Sequence, residues 1–131
     1  MTVNTALQYL ALSSVFTGLL WVPYVLDTIL VRGLFDAVGY PENPKPLAKW
    51  AQRLKAAHYN AVENLVVFAA LVLVAEAAGI HNAAIATAAM VYFWVRVLHA
   101  LAYTFGIPWI RTLAFVAGVG AQLCIAWHIL M

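Results

Sequence analysis

Several polar residues of this chain interrupt long apolar runs. They are Asn60 and Glu63 in one run, Arg96, His99 and Tyr103 in a second, and Arg111 just before a third. Arginine binds carboxylates in a bidentate geometry, and a glutamate can hold an ammonium group. Asparagine both donates and accepts hydrogen bonds, and tyrosine and histidine add further ones. Together these residue types suit a zwitterionic ligand that carries several carboxylates.

Helical spacing places these polar residues on compatible faces. They are Arg53, Asn60 and Glu63 at i, i+7 and i+10 in one predicted helix, and Arg96, His99 and Tyr103 at i, i+3 and i+7 in the next. Residues at such spacings return to one side of a helix. A shared binding site is one interpretation. The alternative is structural, with Glu63 and Arg96 neutralising each other between two packed helices.

The elements that must position these residues are membrane helices. The chain has 131 residues, of which 66% are hydrophobic and 9% are charged, and its mean hydropathy is +0.90. A soluble core of this size could not bury so much apolar surface. We therefore predict one all-α transmembrane domain over residues 1–131. It is a four-helix bundle with helices over about 6–32, 47–78, 82–105 and 108–130.

Prolines and glycines predict where these helices bend and end. Pro23 is expected to kink the first helix or to be accommodated by neighbouring helices. Residues 32–49 are expected to form a loop, because three prolines within residues 41–46 bar a regular helix. Gly79 is expected just after the second helix, and Pro108 at the start of the fourth.

The distribution of lysine and arginine predicts the orientation in the membrane. Neither residue type occurs before Arg32, in the loop between the second and third helices, or at the C-terminus. The positive-inside rule therefore places the other two loops in the cytoplasm and both termini outside. The polar residues then lie toward the cytoplasmic half. Small residues on three helices, and polar groups that need shielding from the lipid bilayer, predict an oligomer.

Other kinds of site find little support in the sequence. A net charge of +2 without a basic stripe argues against a nucleic-acid partner. The histidines lack metal-ligand spacing, and there is no Ser-His-Asp set or glycine-rich phosphate loop. The lone Cys124 is interpreted as a buried, inert thiol.

Several remaining residues have structural interpretations. Asp27 is expected to pair with Arg32 or Arg96, and Lys49 to be an ordinary positive-inside anchor. Tyr92 is expected to face lipid or the membrane interface, as are Trp94, Trp109 and Trp127. Gln122 is ambiguous between helix packing and a group that lines the site.

Three motifs, in order along the chain, resemble the MAPEG superfamily, the membrane-associated proteins in eicosanoid and glutathione metabolism. Residues 57–64, Ala-His-Tyr-Asn-Ala-Val-Glu-Asn, resemble its Asn-x-x-Glu signature in the second helix. Residues 96–103, Arg-Val-Leu-His-Ala-Leu-Ala-Tyr, are similar to its third-helix motif. Residues 106–112, Gly-Ile-Pro-Trp-Ile-Arg-Thr, resemble the turn into its fourth helix. The resemblance covers nearly the whole chain, and the compact length suggests a bacterial member in the inner membrane.

The resemblance implies a homotrimer that binds glutathione, as a cosubstrate, at subunit interfaces near the cytosolic side. Asn60 and Glu63 match residues that hold the γ-glutamyl end of glutathione. Other residues that line this site are matched by Arg96, His99 and Tyr103. Arg32 matches an arginine at the edge of the site, and Arg53 lies near the position of a further family arginine.

The resemblance also implies catalytic roles. Arg111 matches the arginine held to stabilise the glutathione thiolate, and Thr112 matches a hydroxyl residue implicated in catalysis. The leading hypothesis is a glutathione-dependent membrane transferase or peroxidase. Its substrates would be lipophilic electrophiles or lipid hydroperoxides that approach from the bilayer.

Departures from the family pattern keep two other functions open. Ala56 and Tyr59 stand where some family enzymes carry arginine, and Phe115 replaces a tyrosine found in one branch. These differences suit a non-catalytic lipid-binding or scaffold protein with the same bundle. The third hypothesis is a small proton-coupled exporter in which Glu63 is the coupling acid, although the polar residues concentrate toward one face.

Overall fold

The computed structural model describes residues 4–131, which form six α-helices and no β-strand. They are α1 (Thr5–Leu19), α2 (Trp21–Arg32), α3 (Leu34–Val38), α4 (Lys49–Ala77), α5 (Ala83–Thr104) and α6 (Pro108–Leu130). Four helical stretches are long and apolar enough to cross a membrane: Thr5–Arg32, which joins α1 and α2, and α4, α5 and α6. The prediction of an all-α membrane protein with four spans is confirmed.

The first span is broken at Leu20, three residues before Pro23. The Leu20 N–H donates a long, 3.4 Å hydrogen bond to the Thr17 carbonyl, which makes a tight turn between α1 and α2. Pro23 has no N–H to donate to the preceding turn, so the helical ladder is weakened there. The proline kink expected from the sequence is therefore a break between two helices.

The loop predicted between the first two spans contains a short helix. Gly33, with φ of +81°, ends α2, and its carbonyl accepts a hydrogen bond from the Ala37 N–H at 2.9 Å. The prolines follow α3 and do not interrupt it, and residues 39–48 are irregular. The expectation of an irregular loop is therefore wrong for residues 34–38.

A buried carboxylate holds the start of α4. Asp27 on α2 accepts a hydrogen bond from the Ala48 N–H, 2.9 Å away, at the N-cap of α4. The expected pairing of Asp27 with Arg32 or Arg96 is wrong, because the carboxylate satisfies an orphan donor of this helix instead. The N-terminus of a helix also favours negative charge.

The turn between α5 and α6 is fixed by backbone hydrogen bonds around a glycine. The Gly106 N–H donates to the Tyr103 carbonyl, and the Ile107 N–H donates to the Ala102 carbonyl. This pairing is a Schellman motif, which needs a left-handed residue, and Gly106 supplies it with φ of +74°. The turn sets the position of Tyr103 relative to the start of α6.

Helix α5 packs against α1, α4 and α6 and so lies at the centre of the subunit. Its Tyr92 is 2% exposed and stacks on Phe68 of α4, with ring centroids 3.8 Å apart. The expectation that Tyr92 faces lipid is wrong, because Tyr92 shares the buried face of α5 with Ala88 and Arg96, one turn away on either side. Trp94, by contrast, is exposed.

Candidate functional site

A cavity of about 110 Å³ lies where α4 meets the turn between α5 and α6. Arg53 of α4, Tyr103 of α5 and Arg111 of α6 are among its lining residues. The guanidinium carbon of Arg111 lies 4.8 Å from the centroid of the Tyr103 ring, within cation–π range. The structure thus brings together three predicted site residues from three helices.

Arg53 is held in this cavity by the end of α5. Its Nε donates a hydrogen bond to the Thr104 carbonyl at 2.9 Å. A Cβ atom at Gly106 would lie 3.5 Å from the guanidinium carbon of Arg53, so the arginine packs directly against the glycine. Sequence reasoning placed Gly106 in the turn but missed this contact, which links a residue in the first turns of α4 to the α5–α6 turn.

Among the described residues that line the cavity there are two arginines and no Asp or Glu. The only ion pair among residues 4–131 joins His81 and Glu76, with 3.7 Å between Nδ1 and Oε2, at the opposite end of α4. Neither Arg53 nor Arg111 is therefore neutralised within the described chain. Because paired cations attract carboxylates and other anions, the arrangement suits a ligand group with negative charge.

Thr112 lies beside this cavity but does not line it. Its side chain is exposed, and its hydroxyl donates a 3.0 Å hydrogen bond to the Pro108 carbonyl in the same helix. In this conformation the hydroxyl hydrogen is used locally, and only the oxygen lone pairs remain to accept a hydrogen bond.

A chain of polar side chains crosses the subunit deeper in the bundle. The Arg96 Nη2 donates to the Asn60 Oδ1 at 2.6 Å, which joins α5 to α4. The Asn64 Nδ2 donates to the Asn60 backbone carbonyl at 2.9 Å, and the Gln122 Nε2 donates to the Asn64 backbone carbonyl at 3.0 Å. Gln122, ambiguous from sequence, is thus a helix-packing residue that ties α6 to α4.

Arg96 and His99 are buried behind the cavity rather than in its wall. They are 4% and 2% exposed, and neither the Arg96 Nε nor the His99 Nδ1 has a hydrogen-bond partner among residues 4–131. The His99 ring packs edge-on against Tyr103, with centroids 5.6 Å apart. Arg96 lies against α6, where a Cβ atom at Gly118 would be 3.6 Å from its Cδ. Both residues support the cavity from inside the bundle.

Glu63 lies on the outer surface of α4 and is exposed. It makes no hydrogen bond or ion pair with any residue of 4–131. The alternative in which Glu63 neutralises Arg96 is therefore wrong for this subunit, because Arg96 donates to Asn60 instead. A carboxylate left open to hydrocarbon in a membrane span needs a partner from elsewhere.

Arg32 does not line the cavity. Its Nε donates a 2.8 Å hydrogen bond to the Lys45 carbonyl in the loop that follows α3. The predicted site thus divides into three groups. They are the cavity residues Arg53, Tyr103 and Arg111, the interior residues Arg96 and His99 with the half-buried Asn60, and the residues Arg32, Glu63 and Thr112, which belong to neither group.

Comparison with known proteins gives one match. A sequence model of the MAPEG family matches residues 10–131, nearly the whole chain. No curated protein and no solved structure matches the chain. The matched range contains every residue of the candidate site.

Proposed function

Because this chain belongs to the MAPEG family of membrane proteins, we propose that it is a glutathione-dependent membrane transferase or peroxidase. Its substrates would be lipophilic electrophiles or lipid hydroperoxides. The observation that carries the proposal is the cavity in which Arg53 and Arg111 have no carboxylate partner. An anionic cosubstrate supplies the counter-charge that this cavity lacks.

Arg111 is the residue proposed to act on the thiol. A guanidinium beside a thiol favours the thiolate, which is the nucleophilic form. In transfer, the thiolate attacks an electrophilic carbon, a carbon–sulfur bond forms and the leaving group departs. In peroxide reduction, the thiolate attacks the terminal oxygen of the hydroperoxide, the oxygen–oxygen bond breaks and the alkoxide takes a proton. A second glutathione then reduces the resulting sulfenic acid, which gives glutathione disulfide and water.

The small volume of the cavity supports a binding site that needs residues from a second subunit. About 110 Å³ is small beside ligand pockets, which usually measure about 300 Å³ or more. The cavity therefore fits part of a tripeptide, and we assign it the thiol end. The exposed Glu63 is proposed to hold the γ-glutamyl ammonium group, in a cleft that a neighbouring copy closes within a homotrimer.

The NH₂ group of Asn60 would assist in this binding. The Asn60 Oδ1 accepts from Arg96 and from the Asn64 Nδ2, so the Asn60 Nδ2 is the group that would donate to a ligand carboxylate. In this proposal Arg96 and His99 position Asn60 and Tyr103 and do not touch glutathione.

The orientation that goes with this function places the cavity at the cytoplasmic face. The starts of α4 and α6 and the end of α5 meet at the basic end of the bundle, so the positive-inside rule puts that end in the cytoplasm. Both termini would then lie outside, and a bacterial inner membrane is the proposed location. Glutathione would enter from the cytoplasm and the lipophilic substrate from the bilayer.

A specific cavity also favours a second candidate function, non-catalytic lipid binding. An apolar cavity of about 410 Å³ lies between the break in the first span and helices α4 and α5. Phe16, Leu54 and Leu101 are among the residues that line it. Ala56 and Tyr59 add no cation to the site, as expected for a member that binds lipid without turnover.

The two candidates are separated by glutathione titration of the purified oligomer in a calorimeter, together with conjugation of an aryl halide. We expect binding and turnover in the parent protein, and loss of both in Arg111→Ala. Lys55→Ala is the matched control, because Lys55 is an exposed cation two residues from Arg53 that does not line the cavity. Absence of glutathione binding in the parent protein, with lipid copurifying, would establish the second candidate instead.

A further inference from the structure

The segment from Leu34 to Tyr40 is an apolar surface that the subunit leaves uncovered. Phe35 is 88% exposed and Val38 is 72% exposed, and Leu34 and Tyr40 are exposed as well. Within the subunit α3 packs against α2 and makes no comparable contact with α4, α5 or α6. We call residues 34–40 the anchor segment. An apolar surface of this kind needs an occupant that removes it from water.

The position of the anchor segment points to lipid. It follows α2 directly, and the outer residues of α2, including Leu26 and Leu30, are exposed in the same way. In a membrane-spanning helix such side chains meet hydrocarbon. The apolar surface of the anchor segment therefore continues the lipid-facing surface of α2 at the point where the chain leaves the span at Gly33.

The charges near the anchor segment favour an anionic lipid surface. Six of the seven lysines and arginines belong to this end of the bundle: Arg32, Lys45, Lys49, Arg53, Lys55 and Arg111. Its acidic residues are fewer, namely Asp27, Asp36 and Glu42, and Asp27 is buried at the N-cap of α4. Lys45 and Lys49 are exposed on either side of Pro46 and Leu47, beside the anchor segment in the chain. Clustered cations at a membrane boundary attract anionic headgroups.

Asp36 argues against a second protein copy as the occupant. It is exposed and lies between Phe35 and Val38, so a dry protein interface over this segment would bury its carboxylate without a partner. At the headgroup boundary of a bilayer the carboxylate stays hydrated while the neighbouring apolar side chains enter the lipid.

We propose that residues 34–40 form an interfacial anchor that lies in the headgroup boundary of the basic-side leaflet and binds anionic phospholipid. Phe35 and Val38 contact the acyl chains, and Lys45 and Lys49 contact the phosphates. Because the Arg32 Nε bonds to the Lys45 carbonyl, the anchor also fixes the position of Arg32 at the end of α2.

The test uses a fluorescent probe at single positions of the full-length protein. Cys124 is the only cysteine, so a Cys124→Ser background accepts one new thiol, introduced as Phe35→Cys and labelled with an environment-sensitive dye. Glu42→Cys is the matched control, because Glu42 is exposed in the same loop outside the anchor segment. Each protein is placed in vesicles of phosphatidylcholine, with or without phosphatidylglycerol, and probed with spin-labelled lipids and a water-soluble quencher. Circular dichroism and oligomer mass confirm that the variants fold.

The proposal predicts that spin-labelled lipids quench the dye at position 35 more than at position 42. It also predicts that phosphatidylglycerol increases this difference, and that Lys45→Glu with Lys49→Glu abolishes the increase. Equal quenching of the two positions by the water-soluble agent overturns the anchor. Protection of position 35 from both quenchers overturns it in favour of a second copy. If phosphatidylglycerol does not change the lipid quenching at position 35, the proposed preference for anionic lipid is overturned.

Discussion

Arg96 of α5 donates a hydrogen bond to the side-chain carbonyl of Asn60 on α4, with 2.6 Å between Nη2 and Oδ1. The two residues belong to different sequence motifs, and both were expected to contact the ligand directly. In the structure they bond to each other instead, and the buried Arg96 has no partner for its Nε among residues 4–131. The pair therefore positions the two helices that carry the site. The buried Arg96 cation depends on Asn60, which is a neutral acceptor.

The first prediction concerns this pair. Asn60→Ala removes the one hydrogen-bond acceptor that Arg96 has among residues 4–131, and it is expected to lower the free energy of unfolding by about 1–3 kcal/mol. Asn60→Asp supplies a carboxylate at the same position and is expected to retain stability. Unfolding in a denaturing detergent, followed by circular dichroism, measures both variants. An alanine variant as stable as the parent would show that the contact contributes nothing.

The second prediction concerns the start of α4. Asp27→Ala removes the acceptor of the Ala48 N–H, and loss of such a cap costs about 0.5–2 kcal/mol. Asp27→Asn keeps an acceptor oxygen and should lose less, which separates the hydrogen bond from the charge. The same detergent unfolding experiment applies. If both variants lost equal stability, the charge and not the hydrogen bond would be the stabilising feature.

The sequence predicted the spans well and the partners of individual polar groups poorly. Hydropathy and length identify α4, α5 and α6 because each must be apolar over the thickness of a bilayer. The order of the spans predicted Arg53, Tyr103 and Arg111 at the same end of the bundle, and they line one cavity because the α5–α6 turn is short.

Which polar side chains of two neighbouring helices pair depends on how each helix is rotated about its axis. Hydropathy and residue spacing in one sequence do not determine that rotation. Arg96 could reach Glu63 or Asn60 from the same face of α5. These two residues are three positions apart on α4, so the rotation of α4 decides between them. Asp27 was misjudged for a similar reason. Its acceptor role depends on the irregular path of residues 39–48, which brings the Ala48 N–H to α2.

The third prediction concerns the α5–α6 turn. Gly106→Ala forces an L residue into a left-handed conformation, which costs roughly 1–2 kcal/mol, and places a methyl group against Arg53. Gly120→Ala is the control, because Gly120 lies inside α6 with nothing within 4 Å of a new Cβ atom. That variant is expected to be neutral or slightly stabilised. Detergent unfolding of the two proteins side by side checks this, and equal stability would contradict the role of Gly106.

The fourth prediction concerns the exposed carboxylate of α4. Glu63→Ala is expected to leave the helicity of the subunit unchanged, because Glu63 is exposed and makes no hydrogen bond or ion pair within residues 4–131. Glutathione affinity should fall by about tenfold or more, as for a lost charged hydrogen bond of about 1.5–3 kcal/mol. Glu42→Ala, an exposed acidic residue in the loop, is the control. Titration calorimetry measures the glutathione affinity, and a mass measurement in detergent determines the oligomeric state. Unchanged affinity would remove Glu63 from the proposed site.

The last prediction separates charge from shape at Arg111. The Arg111 guanidinium lies over Tyr103, so the side chain both packs on the ring and supplies a positive charge. In the proposed mechanism the charge favours the glutathione thiolate, so Arg111→Ala should raise the pKa of the bound thiol toward its value in free glutathione. Arg111→Lys keeps the positive charge but loses the planar surface that stacks on Tyr103, so it should raise that pKa less than Arg111→Ala does.

Ultraviolet absorbance of the thiolate, titrated against pH with glutathione bound, measures the pKa directly. The sign follows from the charge: removing a cation disfavours the anionic form, so the thiolate signal must appear at higher pH in the alanine variant. A thiolate titration that is the same in all three proteins would show that Arg111 does not contact the sulfur.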